Sequence, residues 1–516
     1  MRTLYILIMS LFLCVTSYAQ NLDSLKTVSE ELKRNYGIND ARYLNSLSEV
    51  VKAAINEEDY RTAYDYRKRY YNIVKEKHGE KSPEYADACL RMGTVSYYYI
   101  GANEAIKFYL DALTLFDELN IFNDTYLQGV SLLCKMYLET GDYDTYLSIH
   151  KELISMLERA GEDYAIFLLN EYVGSYSYLM QFEDYDTVLD YMYKAQKLIK
   201  KHDLGFLLTE QASIAFAVPR ICYRTMGKFD KAVEAGKSAQ QYIKNVYGED
   251  SIPYAQYDIL IALDLIAQGE LEKSRPYVMH GFSLIEEVSK RDGLTAHDEP
   301  TYLPAAILLA RFSERDNDQK GAISYRELAD KIFRLQNDTE SEDFYDNLYN
   351  LYLDYGTCGE YMKLISVFPA IEEWVASTYG SGSDELFQVL ITAHDGYVYT
   401  YNKSDALKVD EKIQTFTNKP ASLGLFMKAS VHSQFNEYDQ AQDLLKQCLD
   451  EILDNPTEDE KRLIPLCYNS LGYVVMEYDL EGAVGYLQKA IEYNNKYLTG
   501  KQGANIDPLV NLGMVH

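Results

Sequence analysis

The sequence predicts an all-α fold, a solenoid of antiparallel helix pairs stacked in chain order. Three observations predict it. A short turn recurs, as GDYDTY at 141–146, GKFDKA at 227–232, GELEKS at 269–274, GEYMKL at 359–364 and NEYDQA at 436–441. The residue closing that turn, small in most copies, falls at Ala63, Ala105, Tyr146, Val188, Ala232, Ser274, Ala322, Leu364, Ala406, Ala441 and Ala483. The steps between them are 42, 41, 42, 44, 42, 48, 42, 42, 35 and 42 residues, and a near-constant period of this length marks a repeat architecture. Finally, each step holds two amphipathic stretches, such as IAFAVPRICYRTM and DKAVEAGKSAQQYI around Gly227-Lys228-Phe229.

Each part of the turn has a physical role. Glycine ends the first helix because it tolerates a left-handed backbone. Phe229 is apolar and packs into the crevice between helices. Ala232 is small, so the second helix lies close against the first. Tyr223 and Ala239 complete the set in that unit. Leu133, Tyr137, Gly141 and Tyr143 keep the same spacing, as do Leu471, Gly472, Ala483, Leu487 and Ala490 with a turn one residue shorter. This pattern resembles the tetratricopeptide repeat across nearly all of residues 40–516. The period of 42 is similar to the longer kinesin-light-chain type, whose eight extra residues add about two helical turns.

The joints between units read HGEKSPEYADA at 78–88, YGEDSIPYAQY at 247–257 and GKQGANIDPLV at 500–510. Ser82-Pro83 and Asp507-Pro508 look like an N-cap followed by proline at the first helical position. Val188 and Leu364 depart from the small-residue rule, which loosens the register of their units. Pro219 sits inside a helix, where it should introduce a kink. The long joint 288–304 accounts for the 48-residue step, and TYGSGSDE at 378–385 reads as the most flexible segment.

Length and composition fit an array. The 516 residues exceed one ordinary core. Tyrosine is abundant, at 49 against a single tryptophan, and suits half-exposed surfaces because its ring packs while its hydroxyl stays wet. The formal net charge of -29 repels phosphate backbones, which argues against a nucleic-acid partner. It also favours solubility, or a groove that prefers basic or neutral ligands.

Residues 1–19 read as a secretory signal peptide, with Arg2, an apolar centre from Leu4 to Val15, and Ser17 and Ala19 before a cut at Gln20. The expected location is the periplasm or envelope of a Gram-negative bacterium, or outside the cell. Leu13 before Cys14 argues against a lipid anchor. The six later cysteines, Cys89, Cys134, Cys222, Cys358, Cys448 and Cys467, read as buried thiols. The array is expected over 20–498 as about eleven units. Residues 499–516 open a further repeat, because Leu512-Gly513 match Leu471-Gly472; the chain is then expected to be a fragment of something longer.

No phosphate loop, G-x-G-x-x-G, H-E-x-x-H or C-x-x-C occurs, and the eight histidines are scattered. No catalytic residue, cofactor or metal is therefore expected. His394-Asp395 is the most tempting pair, but neighbours on a helix point about 100° apart, so it reads as a structural histidine beside a solvated aspartate.

What the resemblance implies is binding by shape. Stacked helix pairs of this family coil into a right-handed superhelix whose first helices line a concave face. By that register the groove candidates are Tyr97, Lys135, Arg224, Tyr399 and Tyr473. The expected function is a non-catalytic scaffold holding a peptide or helix of a partner protein. Two alternatives stand beside it. One is the sensory part of a larger signalling or effector protein with a kinase, DNA-binding or caspase-like domain. The other is a surface glycan-binding lipoprotein, for which Trp374 would be the only tryptophan platform.

Overall fold

A computed structural model describes residues 22–202, 209–416, 419–498 and 506–515. The leader, Cys14 and most of the joint at 500–510 lie outside the described residues. The chain divides into two compact units between Ala235 and Gly236. The first holds α1 (Leu22–Tyr36), α2 (Ala41–Asn56), α3 (Tyr60–His78), α4 (Pro83–Tyr99), α5 (Ala102–Glu118), α6 (Asp124–Glu139), α7 (Tyr143–Ala160), α8 (Ala165–Gly174), α9 (Tyr176–Gln181), α10 (Tyr185–His202) and α11 (Thr209–Thr225). The division falls within α12 (Phe229–Tyr247).

The second unit continues with α13 (Ile252–Ala267), α14 (Leu271–Asp292), α15 (Tyr302–Arg315), α16 (Gln319–Leu335), α17 (Glu342–Cys358), α18 (Tyr361–Tyr379), α19 (Asp384–Tyr399) and α20 (Lys403–Ile413). It ends with α21 (Ala421–Gln434), α22 (Tyr438–Ile452), α23 (Glu460–Val475), α24 (Leu480–Tyr497) and α25 (Ile506–Val515). Every regular element among the described residues is helical. The fold class is therefore all-α, with helices packed against their chain neighbours.

Contacts within one hairpin run in opposite directions along its two helices, as antiparallel packing requires. In α17–α18, Leu364 packs at Gly356, Tyr352 meets Phe368 with ring centroids 6.4 Å apart, and Tyr345 stacks on Trp374 at 5.5 Å. The buried stripe of α22 shows what holds such a helix down. Ala441, Leu445, Cys448, Leu449 and Ile452 are buried at i, i+4, i+7, i+8 and i+11, one face of a 3.6-residue period. Each leucine so buried contributes about 2 kcal/mol.

The register is uniform. All eleven closing residues, from Ala63 to Ala483, occupy the fourth position of a second helix, and none is more than 2% exposed. Val188 and Leu364 keep this position despite their size, so their units hold register. For Leu364 the reason is visible. A Cβ added at Gly356 would stand 3.3 Å from its Cδ1, and one at Gly396 would stand 2.9 Å from its Cδ2. Two glycines on flanking first helices make room for one large side chain.

The turn has its own rule. Five residues before the closing position, nine turns place a residue with positive φ: Glu58, Gly141, Glu183, Gly227, Gly269, Asn317, Gly359, Tyr401 and Asn436. Only four of these are glycine. The left-handed residue lets the following N–H reach back to a helix carbonyl. Asp142 N–H donates to Tyr137 O at 2.9 Å, and Asn402 N–H to Tyr397 O at 2.8 Å. The closure is formed whether or not glycine supplies it.

The joints resolve into caps. Ser82 Oγ accepts from Tyr85 N–H at 3.2 Å, with Pro83 opening α4. Asp507 and Pro508 instead fall inside the first turn of α25, so Asp507 is not a cap ahead of it. TYGSGSDE is partly helical. Its ends belong to α18 and α19, and Ser383 Oγ accepts from Leu386 N–H at 3.2 Å. Pro219 lies inside α11, as Pro276, Pro369 and Pro465 lie inside their helices. Five of the six later cysteines are buried, but Cys358 is exposed at the end of α17. No helix among the described residues is long and apolar enough to cross a membrane.

Candidate binding faces on the first helices

In the first unit, three of the predicted residues sit near the ends of first helices. Tyr97 is half-buried in the last turn of α4, with its ring edge-on to Tyr98 at 5.2 Å. Burial raises its hydroxyl pKa above the ordinary range, and the facing Glu139 carboxylate on α6 adds to the push, with Tyr98 and Tyr178 contributing less. Lys135 is exposed on α6, one helical turn before Glu139. Tyr98 and Tyr178 are 46% and 36% exposed. The structure therefore brings Tyr97 to the helix that carries Lys135, beside tyrosines from α4 and α9. Arg224 is exposed in the last turn of α11, next to Tyr223.

In the second unit, Tyr399 ends α19 and Tyr473 lies on α23, 57% and 48% exposed. Tyr399 is not free to swing. Its ring stacks on Tyr361 with centroids 4.7 Å apart and planes 8° from parallel. Tyr473 lies close enough to Tyr438 to add to the upward shift that burial gives that hydroxyl.

These stacks follow a rule that the sequence reading missed. Tyr60 stacks on Tyr98 at 5.3 Å, Tyr143 on Phe182 at 4.0 Å, and Tyr361 on Tyr399 at 4.7 Å. In each pair the first ring opens a second helix and the other stands at the C-terminal end of the next unit's first helix. The turn aromatic at Tyr143 and Tyr361 thus bridges to the following unit, beyond its own hairpin. The available signal was a second aromatic 38 or 39 residues downstream.

His394 is buried beside an exposed Asp395. Its Nδ1 lies 3.2 Å from Asp395 Oδ1, so the adjacent side chains do meet. Its Nε2 lies 3.4 Å from Asp410 Oδ1 on α20. His394 and Asp410 are 2% and 1% exposed. Burial pushes the Asp410 carboxyl up to about 6, against the pull of His394 and of Lys428 on α21. Neither Asp410 oxygen has a hydrogen-bond partner among the described residues. The pair joins two helices of one hairpin. His150 and Glu171 form a similar contact at 3.4 Å between α7 and α8.

No family model and no curated protein matches the chain. Solved structures similar to it include TPR-repeat proteins. The C-terminal part of a TPR repeat-containing protein from Cytophaga hutchinsonii is 16% identical, covering 58% of this chain and 98% of that one with a TM-score of 0.39. The kinesin light chain TPR-like repeats of Podosopora anserina are 13% identical, covering 39% and 93% with a TM-score of 0.28. The apo form of RapI is 13% identical, covering 52% and 94% with a TM-score of 0.33. With TM-scores this low, the fold class stands on the chain's own helix register. That register defines an all-α array of tandem helix hairpins, which resembles the tetratricopeptide repeat.

Proposed function

We propose that the chain is a non-catalytic scaffold that binds a peptide or helix of a partner protein along its first-helix faces. One observation carries this reading: exposed tyrosines from α4 and α9 surround the Tyr97–Glu139 contact, with Lys135 one turn away. Rings that are half packed and half wet offer large contact area at little entropic cost. Lys135 and Glu139 add polar contacts that fix orientation. The surplus of acid disfavours nucleic acid as the partner.

A photo-crosslinker placed at 97 or 135 tests the reading, with one at the exposed Lys107 on the second helix α5 as the control. The same partner should be captured from 97 and 135 and not from 107. Equal capture from all three, or from none, would refute the assignment of the face. The proposal places the protein outside the cytoplasm through residues 1–19. A mature N-terminus at Gln20 in an envelope or secreted fraction is the expected result; an intact Met1 in the cytoplasm would remove that part.

A further inference from the structure

The short step between Ala406 and Ala441 has a counterpart in space. The second helix of that unit, α20, has 11 residues, whereas α18 before it has 19 and α22 after it has 15. Against α18 the shortfall is about 12 Å of helix at 1.5 Å per residue. A cavity of about 700 Å³ opens where α20 stops. Small-molecule sites span roughly 300–1,000 Å³.

The walls are two-sided in character. Phe387, Ile413, Phe416 and Leu444 give an apolar surface. From α21, Gly424 and Lys428 line the cavity one turn apart, on one face of the helix. Lys428 is exposed and makes no salt bridge among the described residues; the acid it acts on is the buried Asp410. Lys419, also in the wall, is already held by Asp384 at 2.7 Å and lies 4.8 Å over the Phe387 ring. Glu451 stands on the α22 wall and opposes a second negative charge nearby.

We propose that this cavity binds one amphipathic carboxylate, with an unbranched apolar chain against the Phe387–Phe416 surface and the carboxylate on Lys428. The seven-residue contraction of the repeat is then what creates the site. Lys428 is the only cation of the wall without a salt bridge among the described residues.

Titration calorimetry on the whole chain with decanoate tests this, with decyltrimethylammonium as the same chain carrying the opposite charge. Decanoate should saturate one site and bind about tenfold more tightly than the cation. Lys428→Met should weaken decanoate about tenfold, the value of one charge-assisted hydrogen bond. Glu451→Gln should leave decanoate as tight or tighter, and Leu444→Trp should weaken it by narrowing the apolar wall. Lys428 and Glu451 lie at the surface, so those two variants read the site even if Leu444→Trp fails to fold. No saturable decanoate binding would overturn the proposal, as would binding that Lys428→Met does not change. Association with phosphatidylglycerol vesicles in the absence of free decanoate binding would overturn it too, by assigning the cavity to a membrane surface.

Discussion

Hairpins α17–α18 and α19–α20 are neighbours in chain and in space, yet they solve one packing problem in opposite ways. In the first, large Leu364 stands at the closing position between Gly356 and Gly396. In the second, small Ala406 stands there and clusters with Val398 and Val431. The large side chain sits at the centre of the first joint and on the flanks of the second, two ways of filling a close-packed interior. The turns repeat the contrast: Gly359 supplies the left-handed residue in the first, Tyr401 in the second, at φ 72° and 58°. What the closing position specifies is therefore a fit with two flanking helices, and alanine is only its commonest form.

The largest expected break in this comparison is Leu364→Ala. Two glycines face the vacated space and cannot fill it, so the loss should be about 3–5 kcal/mol in urea unfolding of the second unit. A loss below about 1 kcal/mol would show that the flanking helices collapse onto each other. Ala406→Leu tests the inverse, and overpacking between two valines should cost about 1–3 kcal/mol.

Next in size is the buried Asp410, which the α17–α18 hairpin lacks at the corresponding position. Its carboxyl titrates at about 6 in the fold against an ordinary 3.8. The folded state then holds the proton more tightly than the unfolded chain. That contribution is fully present below pH 3.8 and is lost as pH rises through about 6. Asp410→Asn removes the loss, so the variant should be the more stable protein at pH 7.5, by at most about 3 kcal/mol. The advantage should vanish below pH 4. A variant less stable at pH 7.5 would show that the His394 contact outweighs the burial of the charge.

Smaller effects separate the two turns. Gly359→Ala places a Cβ in the left-handed region and should cost about 1 kcal/mol. Tyr401→Gly should change stability less, because relief of the backbone is offset by loss of the edge-on contact with Phe435. The smallest term is the stack across the joint. A double-mutant cycle on Tyr361 and Tyr399 should return a coupling of about 0.5–1.5 kcal/mol, and zero coupling would reduce the stack to coincidence.

Much of this was legible in the sequence. The eleven closing residues were found from spacing alone, because a buried contact repeated at one position leaves a periodic trace. Ser82-Pro83 was legible because capping chemistry is local. Other features depend on partners far along the chain. Glu58, Glu183 and Tyr401 take the left-handed position against their own preference, since closure of the turn overrides it. The fit of Leu364 depends on Gly356 and Gly396, which lie on two other helices. Asp410 lies 16 residues from His394, so no local pattern joins them. The 35-residue step was visible as a number, but only the packing shows that helix α20 carries the loss.

The lone indole of the chain, Trp374, lies parallel to Tyr345 with planes 1° apart. Its emission is therefore a private gauge of α17–α18, blind to everything before Gly236. Heating the protein while following both fluorescence and far-ultraviolet dichroism would show whether the array melts as one body or sheds its halves at different temperatures, with no label added.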